Sequence, residues 1–268
     1  MTAFRELRDA DLRRINGLTR KMAGSGDWDQ LAVICVREIP RCVPIDYVAW
    51  NVFNRERTEI CAIVATPQVQ DRANELLDEV NAYLYRWHPV LSTVGWKGVE
   101  RRLRTMSDFQ SCGRFRQSPL YREAYRHLEA DYQAAESVGY YGNRNLTMSY
   151  NRRLRDFSRR EREILHMINR RIDVVAREVH RRHIMRRNLA RLTALAGAGT
   201  LPADDLTAAE IHGMASIVRG EPAARDTRTR LQAKLGLESS KQVASLVVDA
   251  IRSGADFAAK GAPCEMGF

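Results

Sequence analysis

The 268-residue sequence predicts an α+β protein: an antiparallel sheet with flanking helices gathered on one side, followed by a small all-α domain. Three observations predict it. Apolar residues recur at helical spacing near the start, at Leu12, Ile15, Leu18 and Met22. Two pairs of segments then switch to period two, residues 45–53 with 59–66 and 131–138 with 146–151, and polar turn residues separate the members of each pair. Beyond a run of small residues, Ala196-Gly197-Ala198-Gly199-Thr200, helical spacing returns.

Each element has a local cause. The first helix covers residues 9–22 and is broken by Gly24-Ser25-Gly26. Asp27 can cap a second, which carries Leu31, Ile34, Cys35 and Ile39 and is stopped by Pro40. The polar run Asn54-Arg55-Glu56-Arg57-Thr58 forms the loop of the first hairpin. A third helix carries Ala73, Leu76, Leu77, Val80, Tyr83 and Leu84 on one face and ends at Trp87-His88-Pro89. Residues 90–117 have weak periodicity and read mostly as loop with a short helix; residues 118–128 are helical again. Gly142-Asn143 turns the second hairpin.

Ser158-Arg159-Arg160-Glu161 is a capping box, so a long helix starts there. Its apolar residues Leu165, Ile168, Ile172, Val175 and Val179 step by threes and fours. Such a heptad seam packs either on the chain's own sheet or on a second copy of the same helix in a homodimer. The small-residue run sets a linker at residues 193–205. The domains are then 1–192 and 206–253, with a low-complexity tail at 254–268 that is expected to be flexible.

Hydrophobic content of 44% and charged content of 28% are those of an ordinary globular protein. No stretch approaches the ~18 apolar residues of a membrane span, and the charged start has no signal-like apolar core. A cytoplasmic protein without a membrane partner is expected. Cys35, Cys42, Cys61, Cys112 and Cys264 are scattered with no CxxC pair, which argues against a disulfide framework or a zinc site. The net charge of +10 favours polyanionic partners such as nucleic acid. Arginine supplies most of it, clustered at residues 152–162 and 181–191.

Nothing points to an enzyme or a cofactor. No GxSxG, HExxH, P-loop or dinucleotide fingerprint occurs. His180 and His183 have a spacing that can bind metal, but arginines surround them. Cys112 with His88 or His127 lacks an orienting third group.

Four elements occur in order: His88-Pro89-Val90-Leu91, Ser107-Asp108-Phe109, Ser118-Pro119-Leu120-Tyr121-Arg122-Glu123-Ala124-Tyr125 and Asp156-Phe157-Ser158-Arg159-Arg160-Glu161-Arg162. Together they resemble the GAF-like amino-terminal region of LuxR-related bacterial transcriptional regulators. Independently, Leu206-Thr207-Ala208-Ala209-Glu210 and Lys234-Leu235-Gly236-Leu237-Glu238-Ser239-Ser240 resemble the two ends of the LuxR-type helix-turn-helix. The segment between them is roughly a dozen residues shorter than that family's.

The resemblance implies a GAF-like antiparallel sheet with flanking helices as a sensor and dimerisation domain, and a degenerate helix-turn-helix domain behind it. It also implies a small-molecule effector or partner protein, and DNA. In the acyl-homoserine-lactone receptors of that group an Asp before a Pro binds the ligand's amide; here His88 precedes Pro89. Tyr47, Trp50, Trp87, His88 and Trp96 are the candidate pocket residues, the alternative being aromatics that simply fill the core.

Asp226 can cap a short helix over residues 227–235, with Leu231 and Leu235 facing in. Arg225, Arg228, Arg230 and Lys234 then project outward as candidate DNA contacts. Two readings stay open. Either this helix still contacts a DNA groove, or the segment is a protein-interaction module derived from such a regulator that no longer binds DNA.

Overall fold

The sheet consists of β1 (Tyr47–Phe53), β2 (Ile60–Ala65), β3 (Arg104–Thr105), β4 (Tyr132–Tyr141) and β5 (Arg144–Arg152). The strands hydrogen-bond in the order β2-β1-β5-β4-β3, every neighbouring pair antiparallel. This computed structural model describes residues 7–54, 56, 58–90, 102–197, 210, 213–214, 216 and 225–235. The helices are α1 (Asp9–Ala23), α2 (Trp28–Glu38), α3 (Gln70–Glu75), α4 (Leu77–Trp87), α5 (Cys112–Arg116), α6 (Arg159–Gly197) and α7 (Arg225–Leu235). None of the described helices is long and apolar enough to cross a membrane.

Local chemistry sets most helix ends. The Asp27 side chain accepts the Gln30 amide at 2.8 Å and starts α2. The expected capping box opens α6: the Glu161 carboxylate accepts the Ser158 amide at 2.8 Å, and the Ser158 hydroxyl accepts the Glu161 amide at 3.3 Å. At the head of α1, buried Asp11 accepts the Arg8 amide at 2.9 Å and a fork of Arg160 bonds at 2.8–3.0 Å, which ties α1 to α6.

Period two along the strands gives the sheet two faces, and helices cover both. Val48, Trp50 and Val52 of β1 and Leu146, Met148 and Tyr150 of β5 pack in one core with α1, α2 and α6. Tyr47 and Phe53 point the other way, into a second core with Val80 and Leu84 of α4 and with Phe115, Leu120 and Tyr125. The expectation of helices on one side is therefore corrected. The apolar stripe of α4 and the second sheet face each need cover, and they cover one another.

The heptad residues of α6 fill the first core. Leu165, Ile168 and Ile172 are fully buried, and Val175 and Val179 nearly so, against the chain's own sheet and α2. The expected dimer seam through these five residues is corrected accordingly, because a surface already packed inside the chain is not offered to a second copy.

Three other expectations change. The third helix is two, α3 and α4, because Leu76 leaves helical geometry with φ −96° and ψ 7°. Within residues 118–128, Tyr121–Tyr125 form a wide π turn, with the Arg126 amide bonding Tyr121 oxygen at 2.8 Å and the Ala130 amide bonding Tyr125 oxygen at 3.0 Å. The stretch read as mostly loop with a short helix does hold that short helix, α5, and among its described residues adds the strand β3.

The chain divides into two compact units, Met1–His180 and Arg181–Gly267. α6 continues to Gly197, through residues assigned above to a linker. Leu192, Ala194, Leu195 and Ala196 are strong helix formers, and their propensity favours helix over coil there. In the second unit Met214 and Leu231 are buried, and Gly213 lies against Thr227 and Leu231 of α7.

Candidate functional site

Between the second sheet face and α3, α4 and the π turn lies a cavity of about 50 Å³. Its floor comes from alternate strand residues: Ala49 and Asn51 of β1, Thr147, Ser149 and Asn151 of β5, and Gln133 of β4. Alternation alone would send these polar side chains to water. α3, α4 and the π turn roof them instead, with Ala73, Val80, Leu84 and Leu128 lining the opposite wall.

A buried polar side chain must find partners, and the strand register supplies them. Gln133 and Asn151 stand opposite each other across β4 and β5, and the Gln133 Nε2 donates to Asn151 Oδ1 at 2.8 Å and to Tyr125 Oη at 3.2 Å. Asn51 Nδ2 donates to Ser149 Oγ at 3.0 Å. Thr147 Oγ1 donates to Asn145 Oδ1 at 2.8 Å.

His88 enters this network from the end of α4. Pro89 disfavours helical geometry in the residue before it, and His88 takes φ −75° and ψ 121°, which ends the helix. Its Nδ1 accepts the Val90 amide at 3.2 Å, so the ring proton sits on Nε2 and is donated to Gln133 Oε1 at 2.6 Å. Burial pushes the imidazole from the ordinary 6.5 down to about 4, and the Gln133 bond offsets only part of that. His88 is neutral at pH 7. No residue lining the cavity then carries a formal charge.

The pocket candidates separate cleanly. Tyr47 and His88 line the cavity. Trp50 does not: it lies on the opposite face, fully buried, with its ring 6.1 Å from Trp28. Trp87 is 39% exposed, one helical position before His88, and carries the Arg86 guanidinium over its ring. Trp96 lies outside the described residues. Sequence reasoning missed Asn51, Gln133, Thr147, Ser149 and Asn151; the available signal was a polar side chain at every second position of Asn145-Leu146-Thr147-Met148-Ser149-Tyr150-Asn151.

Of the candidate DNA contacts, Arg225 and Arg230 are exposed on α7. Arg228 and Lys234 lie on the same helix, with side chains outside the described set. α7 starts two residues before the expected position, with Asp226 inside its first turn. His180 packs edge-on against Trp28 and Tyr141 with centroids 6.1 and 5.9 Å away. Among the described residues no three His, Cys, Asp or Glu side chains gather to hold a metal.

No protein-family model and no curated protein matches the chain. Among solved structures it is similar to the VqsR LBD domain from Pseudomonas aeruginosa, at 16% identity over 63% of this chain and 99% of that one, with a TM-score of 0.43. It is similar to Escherichia coli SdiA at 12% identity over 88% of this chain and 96% of that one, with a TM-score of 0.45. It is also similar to SdiA in complex with octanoyl-rac-glycerol, at 13% identity over 91% of this chain and 96% of that one, with a TM-score of 0.45. Likeness of this degree assigns neither a family nor a function to the chain.

Proposed function

We propose that the chain is a LuxR-related one-component regulator of transcription, whose α+β unit senses an uncharged, hydrogen-bonding small molecule and whose C-terminal unit contacts DNA. The observation that carries the sensing half is the roofed polar cavity. Amide, hydroxyl and neutral imidazole groups converge there under an apolar roof, the usual make-up of a small-molecule site. A charged ligand would find no counter-ion among the lining residues and would lose its hydration uncompensated.

The cavity's 50 Å³ is far below the ~300–1,000 Å³ of small-molecule sites. An occupant of that size enters only if α4 and the π turn move off the sheet. Occupancy is thereby coupled to rearrangement, as a sensor requires.

The DNA half rests on the resemblance of residues 206–253, the net charge of +10 and the exposed Arg225 and Arg230 of α7. The shortened stretch between residues 219 and 234 favours a second reading, a module that binds protein instead.

The test is equilibrium binding of the full chain to labelled duplex fragments of its source genome at low and moderate salt. A panel of uncharged amides, lactones and polyols is added in parallel. Binding that weakens with salt, is lost in Arg228→Ala/Arg230→Ala and shifts with one compound of the panel is expected. Absence of duplex binding at low salt rejects the DNA half, because a basic reader binds nonspecifically there. A compound that binds wild type and Ser149→Val/Asn51→Leu equally rejects the cavity as the sensing site.

A further inference from the structure

One backbone group fixes the direction of the hydrogen bonds around His88. The Val90 amide can only donate, so His88 Nδ1 accepts and the Nε2 proton goes to Gln133 Oε1. Gln133 must then present its NH2 group to the sheet, where it donates to Asn151 Oδ1 at 2.8 Å and to Tyr125 Oη at 3.2 Å. Asn151 and Tyr125 therefore both accept, and each keeps its own donor.

Those donors end the relay inside the cavity. The Asn151 NH2 and the Tyr125 hydroxyl proton meet no acceptor among the described residues, although Asn151 is only 1% exposed and Tyr125 5%. Both residues line the cavity, and both lie within hydrogen-bond reach of one nitrogen, Gln133 Nε2. A buried donor without an acceptor is costly, so two of them together call for an acceptor atom from outside the chain. Ser149, two residues before Asn151 on the same strand face, adds a third donor, since its oxygen already accepts from Asn51 at 3.0 Å. The amide oxygens at this end are engaged, Gln133 Oε1 by His88 and Asn151 Oδ1 by Gln133. The lining amide oxygen that accepts nothing among the described residues is Asn51 Oδ1. It lies on β1 opposite Thr147, four residues or about 13 Å of strand away from Asn151.

We propose that the Asn151–Tyr125 end of the cavity is a subsite for a carbonyl oxygen, and that its ligand is an ester, lactone or ketone rather than a secondary amide. This rests on the sensing reading given above and names the ligand class for the same cavity. The carbonyl oxygen accepts from the Asn151 NH2 and the Tyr125 hydroxyl, which completes a relay that begins at the Val90 amide. An N–H next to that carbonyl would lose its bond to water and face oxygens already engaged, with Asn51 Oδ1 out of reach. Selection against the amide comes from that stranded donor.

The experiment is calorimetric titration of the full chain with methyl hexanoate and with N-methylhexanamide, which differs only by N–H in place of the ester oxygen. The ester should bind more tightly by about tenfold or more. Tyr125→Phe keeps the ring and removes the hydroxyl, and should weaken the ester by about fivefold. Tyr121→Phe, in the same π turn, loses a hydroxyl that bonds Asp131 at 2.7 Å away from the cavity lining, and should leave ester affinity unchanged. Thermal melts check that each variant is folded, and the ester–amide comparison on the wild type decides the proposal without any variant. Absence of saturable ester binding through the millimolar range, equal or tighter binding of the amide, or unchanged ester affinity in folded Tyr125→Phe would overturn the subsite. The sensing reading fails separately, when ester binding is indifferent to Ser149→Val/Asn51→Leu, and the subsite falls with it.

Discussion

Arg152, the last residue of β5, grips Glu161 in the first turn of α6 with two parallel hydrogen bonds of 3.1 and 2.9 Å. The guanidinium is almost fully buried, donates through Nε to the Pro44 carbonyl at 2.6 Å, and lies 4.1 Å over the Phe157 ring. Burial alone would raise the Glu161 carboxyl. Hydrogen bonds from Arg152, Arg155 and Ser158 outweigh it and hold the group far below the ordinary carboxylate range.

Two measurements follow for this pair. Arg152→Ala deletes the buried partner with its Pro44 bond and its packing over Phe157, leaving Glu161 only the exposed Arg155 and Ser158, and should cost about 3–5 kcal/mol in urea unfolding. Arg155 makes the same contact from an exposed position, and Arg155→Ala should cost below about 1 kcal/mol. The folded-state pKa of Glu161 is depressed, so its contribution is complete above the unfolded value of 4.5 and is lost as pH falls below it. Glu161→Gln should flatten the stability profile below pH 4.5 and leave its slope above that unchanged.

His88 acts in a different window. Its folded pKa of about 4 lies below the unfolded 6.5, so the native state prefers the neutral ring. That preference is fully present above pH 6.5 and is lost as pH falls towards 4, a change of about 3 kcal/mol across the window. Urea midpoints of wild type should fall between pH 6.5 and 4, and those of His88→Gln should fall less. An NMR titration in which the His88 ring gains its proton near pH 6.5 would contradict the buried network.

Along α6, neighbouring residues should respond oppositely to the same change. Ile172 is fully buried, and Ile172→Asp places an unpaired carboxylate in the core, so loss of the folded circular dichroism signal is expected. Val174 is 65% exposed, and Val174→Asp should change stability by less than about 0.5 kcal/mol. A folded Ile172→Asp protein with altered sedimentation would restore the dimer seam.

In the C-terminal unit, a Cβ at Gly213 would meet Thr227 Cγ2 at 2.5 Å and Leu231 Cδ1 at 3.3 Å. Gly213→Ala should therefore destabilise the packing of α7 by about 1–3 kcal/mol. Adding Thr227→Ser removes the clashing methyl and should recover part of the loss. Thermal melts of the single and double variants check this, and a neutral Gly213→Ala would show that α7 does not pack on this position.

Elements with local causes were readable before any coordinates. Asp27, the Ser158–Glu161 box and the His88-Pro89 break act within a few residues of chain, and each does its expected work in the structure. Both hairpins followed from period two and a polar turn, although β4 and β5 run longer than expected. The candidate pocket was legible only in part. Tyr47 and His88 were visible as an aromatic and a histidine in suggestive places, whereas Asn51, Gln133, Ser149 and Asn151 looked like a solvated strand face.

Covalent order and side-chain type set where this chain turns, which segments become helix or strand, and that its charge is strongly positive. They did not say which partner each surface would meet. Trp50 and Tyr47 lie three residues apart on one strand and serve opposite cores, because an odd step along a strand changes face. The polar strand face became a cavity floor only when α3 and α4, distant in sequence, folded over it. The α6 seam met the chain's own sheet because that apolar face was already beside it, and an intramolecular surface needs no second molecule to bury it.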